Sequence, residues 1–127
     1  MVNVQAKLRE LVPGKQLVLR PRGNDALLAA LKIAKKLGKT KVILQDQGGW
    51  LTYRQYPEKL GMEMHYFSTD AGLFDSVDVD KDSVLLVNSM PGYHAYMNMK
   101  SIYEKCKAVG CLVINDVSGS IGNKDSL

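Results

Sequence analysis

The sequence predicts an α/β fold: a three-layer α/β/α arrangement around a mostly parallel sheet of about five strands. Three observations lead there. Short apolar runs alternate along the chain with longer amphipathic segments, the pattern of strands and helices taken in turn. The runs are apolar at consecutive positions, Val84 to Val87 above all, as in strands covered on both faces. Each run also ends in a polar, glycine-bearing break. The last of these, CLVINDVSGSIG over Cys111–Gly122, delivers Asn115 and Asp116 at the carboxyl edge of a strand, where open α/β sheets bind their ligands.

The individual elements follow in order. Residues 3–11 place Val4, Leu8 and Leu11 on one helical face, and Pro13-Gly14 stop them. Residues 1–14 thus read as a helical arm on a single domain spanning 1–127. Leu17-Val18-Leu19 reads as a short first strand. RPRGND is a turn opening a helix over Asn24–Leu37, closed by Gly38. The apolar residues of this helix (Ala26, Leu27, Ala30, Leu31, Ile33, Ala34, Leu37) cover a wide arc, which predicts close packing on the sheet.

A strand over Lys41–Gln45 and the glycine break DQGGW come next. Residues 51–60 suit a helix if Pro57 sits near its start or kinks it. Strand Met62–Ser68 is followed by an aspartate-rich connection without periodicity. Strand Val84–Val87 ends in NSMPGYH. A helix is then expected from about Ala95 to Val109, with Ala95, Met99, Ile102, Tyr103 and Cys106 on one face and Gly110 as its cap.

Composition narrows the function classes. A chain of 127 residues buries a core without metal or disulfide staples, and 46% hydrophobic with 24% charged residues is ordinary for a globular protein. No run has the length of a membrane span, and the amino terminus lacks the apolar core of a signal peptide. Cys106 and Cys111 match neither a CxxC pair nor zinc-ligand spacing, so buried thiols and a cytoplasmic location are expected. The net charge of +4 is mild and its lysines are scattered without interleaved aromatics, which argues against nucleic acid as a partner.

Four loops follow strands on the same edge. In RPRGND, Gly23-Asn24-Asp25 opens a helix behind Arg20 and Arg22, a place suited to a phosphate; the plain alternative is Asn24 or Asp25 as an N-cap. In DQGGW, Gly48-Gly49 lets Trp50 approach and stack on a planar ring, or the tryptophan caps the core. In NSMPGYH, Asn88 can donate to an oxygen and His94 can stack or shuttle a proton, though a solvated histidine is the commoner case. His65, within a strand, reads as structural. In DVSGSIG, a carboxylate at a buried strand end needs a partner: a ligand, or the following turn through Ser118 or Ser120. The aspartates between Asp70 and Asp82 lack the spacing of a calcium loop, and no metal site is expected.

In order and spacing, Arg22–Gly122 resembles the first part of the large domain of fold type I, aspartate-aminotransferase-like enzymes that use pyridoxal phosphate. GNDALLAALKIAKKLGKTKVIL is similar to the family's phosphate-loop helix and the strand after it. DQGGWLTY is similar to the loop that lays an aromatic ring over the pyridine. VLLVNSMPGYHAYMNMKSIYEKCKAVGCLVINDVSGSIG resembles the strand with an Asn-Pro-rich loop, the connecting helix, and the strand bearing the ring-nitrogen aspartate. The resemblance implies that Gly23, Asn24 and Asp25 hold the cofactor phosphate. It further implies that Trp50 stacks on the ring, Asn88 reaches its phenolic oxygen, Asp116 pairs with the pyridine nitrogen, and Ser118 touches the ring's edge.

The family's Schiff-base lysine follows this aspartate by two dozen or more residues, and Lys124 is too close to serve. The small domain and the carboxylate-gripping arginine have no counterpart in these residues either. The expectation is therefore a truncated homologue, not catalytic alone, that retains non-covalent binding of pyridoxal phosphate or of a phosphate. Two alternatives stand beside it: one half of a split aminotransferase or lyase completed by a second polypeptide, and a non-catalytic structural or regulatory module. The family's strand order, 3-2-4-5-6-7-1, would leave about 14 Å between strands 5 and 1. That gap calls for strand 1 to move in, for a homo-oligomer, or for a second polypeptide to complete the sheet.

Overall fold

The computed structural model describes residues 1–92 and 96–127. Among the described residues the chain forms four helices and four strands, in the order α1 (Val4–Leu11), α2 (Gly23–Lys36), β1 (Lys41–Gln45), α3 (Thr52–Lys59), β2 (Glu63–Phe67), β3 (Ser83–Asn88), α4 (Lys100–Val109) and β4 (Leu112–Asp116). The sheet runs β2-β1-β3-β4, and every pairing is parallel. Its two most apolar runs take the centre. All of Val84–Val87 in β3 is fully buried, and Val42–Gln45 of β1 is buried beside it.

Side chains alternate across the pleat, and each parity meets its own helix layer. Val42, Leu44, Val84 and Leu86, with Leu112 and Ile114, pack on one face against Leu31 and Ala34 of α2 and Tyr53 of α3. Ile43, Leu85, Val87 and Val113 pack on the other against Ile102 and Cys106 of α4, with Met97 and Met99. Burying each such leucine or isoleucine contributes about 1.5–3 kcal/mol relative to leaving it in water. This is a three-layer α/β/α fold. Gly110, at φ 77°, ends α4 in the left-handed conformation that favours glycine.

Several expectations need correction. Among the described residues the sheet has four strands, not five. Leu17-Val18-Leu19 has no ladder partner and is largely solvated, with Val18 72% and Leu19 56% exposed. An apolar triplet becomes a strand only where a neighbour accepts its hydrogen bonds, and among the described residues no strand pairs with the outer edge of β4.

Helix α4 starts at Lys100 rather than near Ala95, which lies outside the described residues, as does His94. Met97 and Met99 are buried from non-helical backbone instead. Their N–H groups donate to Ser89 O and Asp125 O, each at 2.8 Å. In α2 the N-cap is Arg22, so Asn24 and Asp25 lie inside the first turn rather than capping it. Pro57 lies in the second half of α3, buried, not near its start.

None of the residues of α1 is buried; Asn3 caps the helix by accepting from Ala6 N–H at 3.1 Å.

Candidate functional site

Asp116 shares the parity of Leu112 and Ile114, so the chain ends β4 with a carboxylate on the α2–α3 side of the sheet. Asn115, of opposite parity, turns to the other layer, where its Nδ2 donates to Tyr103 Oη at 2.8 Å and Ser126 O at 2.7 Å. The Asp116 carboxylate is held from two directions. Oδ1 accepts from Ser118 N–H at 3.0 Å and from its hydroxyl at 2.5 Å, closing the turn after β4. Oδ2 accepts from the Tyr53 hydroxyl at 2.5 Å. A carboxylate has roughly four acceptor positions; Ser118 takes two and Tyr53 one, which leaves Oδ2 able to accept from a ligand.

Tyr53 reaches that carboxylate because α3 buries it, at 5% exposed. Burial foremost, and then the hydrogen bond to Asp116, push its phenol well above the usual tyrosine range. Gly49 makes room for the ring: a Cβ there would sit 2.5 Å from Tyr53 Cδ2, and the residue has φ 80°, where side chains are strained.

The opposite wall is the start of α2. Arg22 makes no side-chain cap, and the first N–H to enter the helical ladder is that of Ala26, bonded to Arg22 O at 3.1 Å. The N–H groups of Gly23, Asn24 and Asp25 are thus the uncapped donors of the first turn, at the positive end of the helix dipole. Asn24 Oδ1 accepts from the Thr52 hydroxyl at 3.1 Å, tying the start of α2 to that of α3.

Between these walls lies a cleft of about 800 Å³ lined by Arg22, Gly23, Asn24, Trp50, Asp116 and Ser118, with Leu27, Ala30, Ile114 and Ile121 as its apolar surface. The structure therefore brings five of the sequence-derived site residues together: Gly23, Asn24, Trp50, Asp116 and Ser118. Trp50 is 64% exposed, which overturns the alternative of a tryptophan buried in the core.

Asp25 and Asn88 are not among the lining residues. Asp25 is exposed on α2. Asn88 stands level with Asp116 in the ladder, but its Oδ1 accepts from Met90 N–H at 3.1 Å. Its backbone N–H is held by Gln45 Oε1 at 2.8 Å. Arg20 and Lys124 do not line the cleft, and His65 is exposed on β2, 3.8 Å from Glu63.

Sequence reasoning missed Tyr53. The signal was present: Tyr53, Tyr56, Pro57 and Leu60 recur at helical spacing, and a tyrosine on a buried stripe needs a partner for its hydroxyl. Among the described residues no lysine lines the cleft. Chemically, the site offers an anion a helix start with an arginine beside it. It offers a protonated ring nitrogen a carboxylate, and a planar group an exposed indole. Among the described residues no helix is long and apolar enough to cross a membrane, and no group of His, Cys, Asp and Glu is arranged to hold a metal.

No protein-family model matches the sequence, and no curated protein matches it. Among solved structures the chain is similar to glycine decarboxylase, the P-protein of the glycine cleavage system, crystallised in an inhibitor-bound form. The TM-score is 0.73 at 18% identity over 87% of the chain, which spans 27% of that enzyme's chain. The likeness is one of architecture: a three-layer α/β/α fold with a parallel sheet, shared over part of that enzyme's length.

Proposed function

We propose that the chain is a homologue of the first part of the large domain of a fold type I enzyme, and that its cleft binds pyridoxal phosphate without a covalent bond. The observation that carries this reading is the meeting, across one cleft, of the uncapped first turn of α2 and the Asp116 carboxylate. The residues present fit the group. Gly23 and Asn24 would hold the phosphate through backbone N–H groups, with Arg22 as counter-charge. Trp50 would lie against the ring, and the free acceptor position on Asp116 Oδ2 would take the ring N–H.

Asp25 and Asn88 are assigned lesser parts: Asp25 supplies only its backbone N–H, and Asn88 supports the strand end beside Asp116. Tyr53 and Ser118 fix the carboxylate in place and hold its charge toward the cleft. Bound there, the cofactor would supply an electron-withdrawing ring, which a carboxylate at the ring nitrogen strengthens by keeping that nitrogen protonated. Activity as a transferase or lyase would further require a lysine brought into the cleft by another segment or another chain.

Trp50 is the only tryptophan, so its fluorescence reports on the cleft. Pyridoxamine phosphate, which has no aldehyde and forms no adducts with surface lysines, should quench it saturably, and inorganic phosphate should compete. A charge-assisted hydrogen bond contributes about 1.5–3 kcal/mol, so Asp116→Asn should weaken binding by roughly tenfold or more. Absence of quenching at millimolar ligand removes cofactor binding from the account.

A further inference from the structure

A backbone wrap joins the end of α4 to the start of β4. Cys111 N–H donates to Cys106 O at 2.9 Å and Gly110 N–H to Lys107 O at 3.3 Å, with Gly110 left-handed at φ 77°. This pair of bonds is the Schellman ending, which brings the side chains at its first and last positions into contact; an apolar pair is usual there. Here both are cysteine, and they are the only two in the chain. Their thiols face each other within the α4-side core, Cys106 1% and Cys111 6% exposed. A backbone bond of this kind holds its two Cα atoms within the roughly 4.4–6.8 Å over which a disulfide closes.

We propose that Cys106 and Cys111 form a modification site, a dithiol that a peroxide closes to an intrachain disulfide. The Cys106 thiolate attacks one oxygen of hydrogen peroxide; the O–O bond breaks, leaving a sulfenic acid on Cys106 and releasing hydroxide, which is protonated to water. The Cys111 thiolate then attacks the Cys106 sulfur. The S–O bond breaks, the S–S bond forms, and a second water leaves. The two thiols give up two electrons and two protons, and the peroxide is reduced to two waters.

The surroundings suit that order of events. The hydrogen bond from the Cys111 thiol draws the Cys106 thiol down and pushes its own up, so Cys106 is the readier thiolate. Lys39 closes the outside of the turn, its Nζ donating to Gly110 O at 2.6 Å and to Lys81 O. An ammonium there offsets the negative pole of α4, which would otherwise oppose a thiolate. Lys107, Ala108, Val109 and Gly110, between the two cysteines, are all exposed. Fraying of this last turn therefore admits a small molecule while the sheet stays paired. Cys111 precedes β4 and Asp116 ends it, about 17 Å along the strand. Neither cysteine lines the cleft, which lies at the other end of β4.

The test treats the folded, full chain with hydrogen peroxide, then denatures it and alkylates it with iodoacetamide. The expected product is lighter by two hydrogens, takes up no alkyl group, and recovers two alkylatable thiols after dithiothreitol. Trypsin cleaves after Lys107, so the two cysteine peptides should stay joined until reduced. Cys111→Ser should strand Cys106 as the sulfenic acid, captured by dimedone. In glutathione redox buffers the effective concentration of the pair should be roughly tenfold or more higher in the folded chain than in urea, because the wrap holds the thiols together. Two alkylatable thiols after peroxide, oxygen addition in place of hydrogen loss, or linkage between two chains overturns the proposal. An equal effective concentration in urea also overturns it, by assigning the pairing to sequence spacing alone. None of these results bears on the fluorescence titration, so the two readings fail separately.

Discussion

Removing one oxygen atom tests how the Asp116 carboxylate is held. Tyr53→Phe keeps the buried ring and so opens no cavity, but deletes the hydroxyl that donates to Asp116 Oδ2 at 2.5 Å. A hydrogen bond to a charged group contributes about 1.5–3 kcal/mol. The carboxylate borders an open cleft, and water can take over part of the lost contact, which brings the expected cost to about 1–2 kcal/mol. With a urea m-value of about 2 kcal/mol/M, the unfolding midpoint falls by roughly 0.5–1 M.

The sign with pH follows from the raised phenol. Unfolded tyrosine ionises near pH 10, whereas native Tyr53 holds its proton to higher pH. Above about pH 10 the unfolded state therefore binds fewer protons, and wild-type stability declines as pH rises through that range. Tyr53→Phe loses this share of the decline; Tyr103, also pushed up by burial, keeps its own. Urea titrations over a pH series measure both effects. In an Asp116→Asn background the Tyr53→Phe cost should shrink by about 1 kcal/mol if the two groups are coupled. A wild-type-like midpoint with an unaltered alkaline slope would refute the hydrogen bond as a stabilising contact.

Other expectations follow from the same geometry. Gly49→Ala puts a Cβ into the Tyr53 ring at a left-handed position, and should cost about 1–3 kcal/mol by thermal or urea melts. Leu86→Ala in β3, fully buried, should cost about 2–5 kcal/mol by the same measurement.

The Lys41 ammonium, and after it the Ser83 hydroxyl, hold the Asp80 carboxyl down to about 2 from 3.8. Its share of stability is present above the unfolded value and is lost as pH falls through the folded one. Lys41→Ala should raise the Asp80 titration midpoint read by carbon-detected NMR. Cys106 and Cys111 are both free and buried, so a thiol reagent should react with the folded chain far more slowly than with the denatured one.

What the sequence disclosed, and what it hid, divides along a physical line. Lys41–Gln45 and Val84–Val87 were legible because strands buried on both faces need consecutive apolar residues, and Gly38 and Gly110 marked where helices stop. Asp116 was legible for a related reason, since a charge at the end of such a run has few uses.

Leu17–Leu19 has the composition of a strand, but whether it forms one depends on a neighbour that local sequence does not describe. Met99 signalled burial correctly and helix wrongly, and Met97, inside the same expected helix, is buried from non-helical backbone as well. Their N–H groups are satisfied by Ser89 and Asp125, both distant in sequence, so no local period could show it. Asn88 was read as reaching outward because its turn bond to Met90 depends on backbone dihedrals rather than on residue type. Tyr53 was hidden behind Pro57, which drew attention to a break in the helix and away from the stripe that α3 buries.

The alternation along β4 has a consequence for how this site can vary. Asp116 faces the cleft because it lies an even number of residues from Leu112, and Asn115 faces Tyr103 because it lies an odd number away. Inserting or deleting one codon inside the strand would transpose the pair, turning an amide to the cleft and the acid toward Tyr103 and Ser126. Changes of two codons would keep the acid on its own side while moving it along the ladder, away from its level with Asn88.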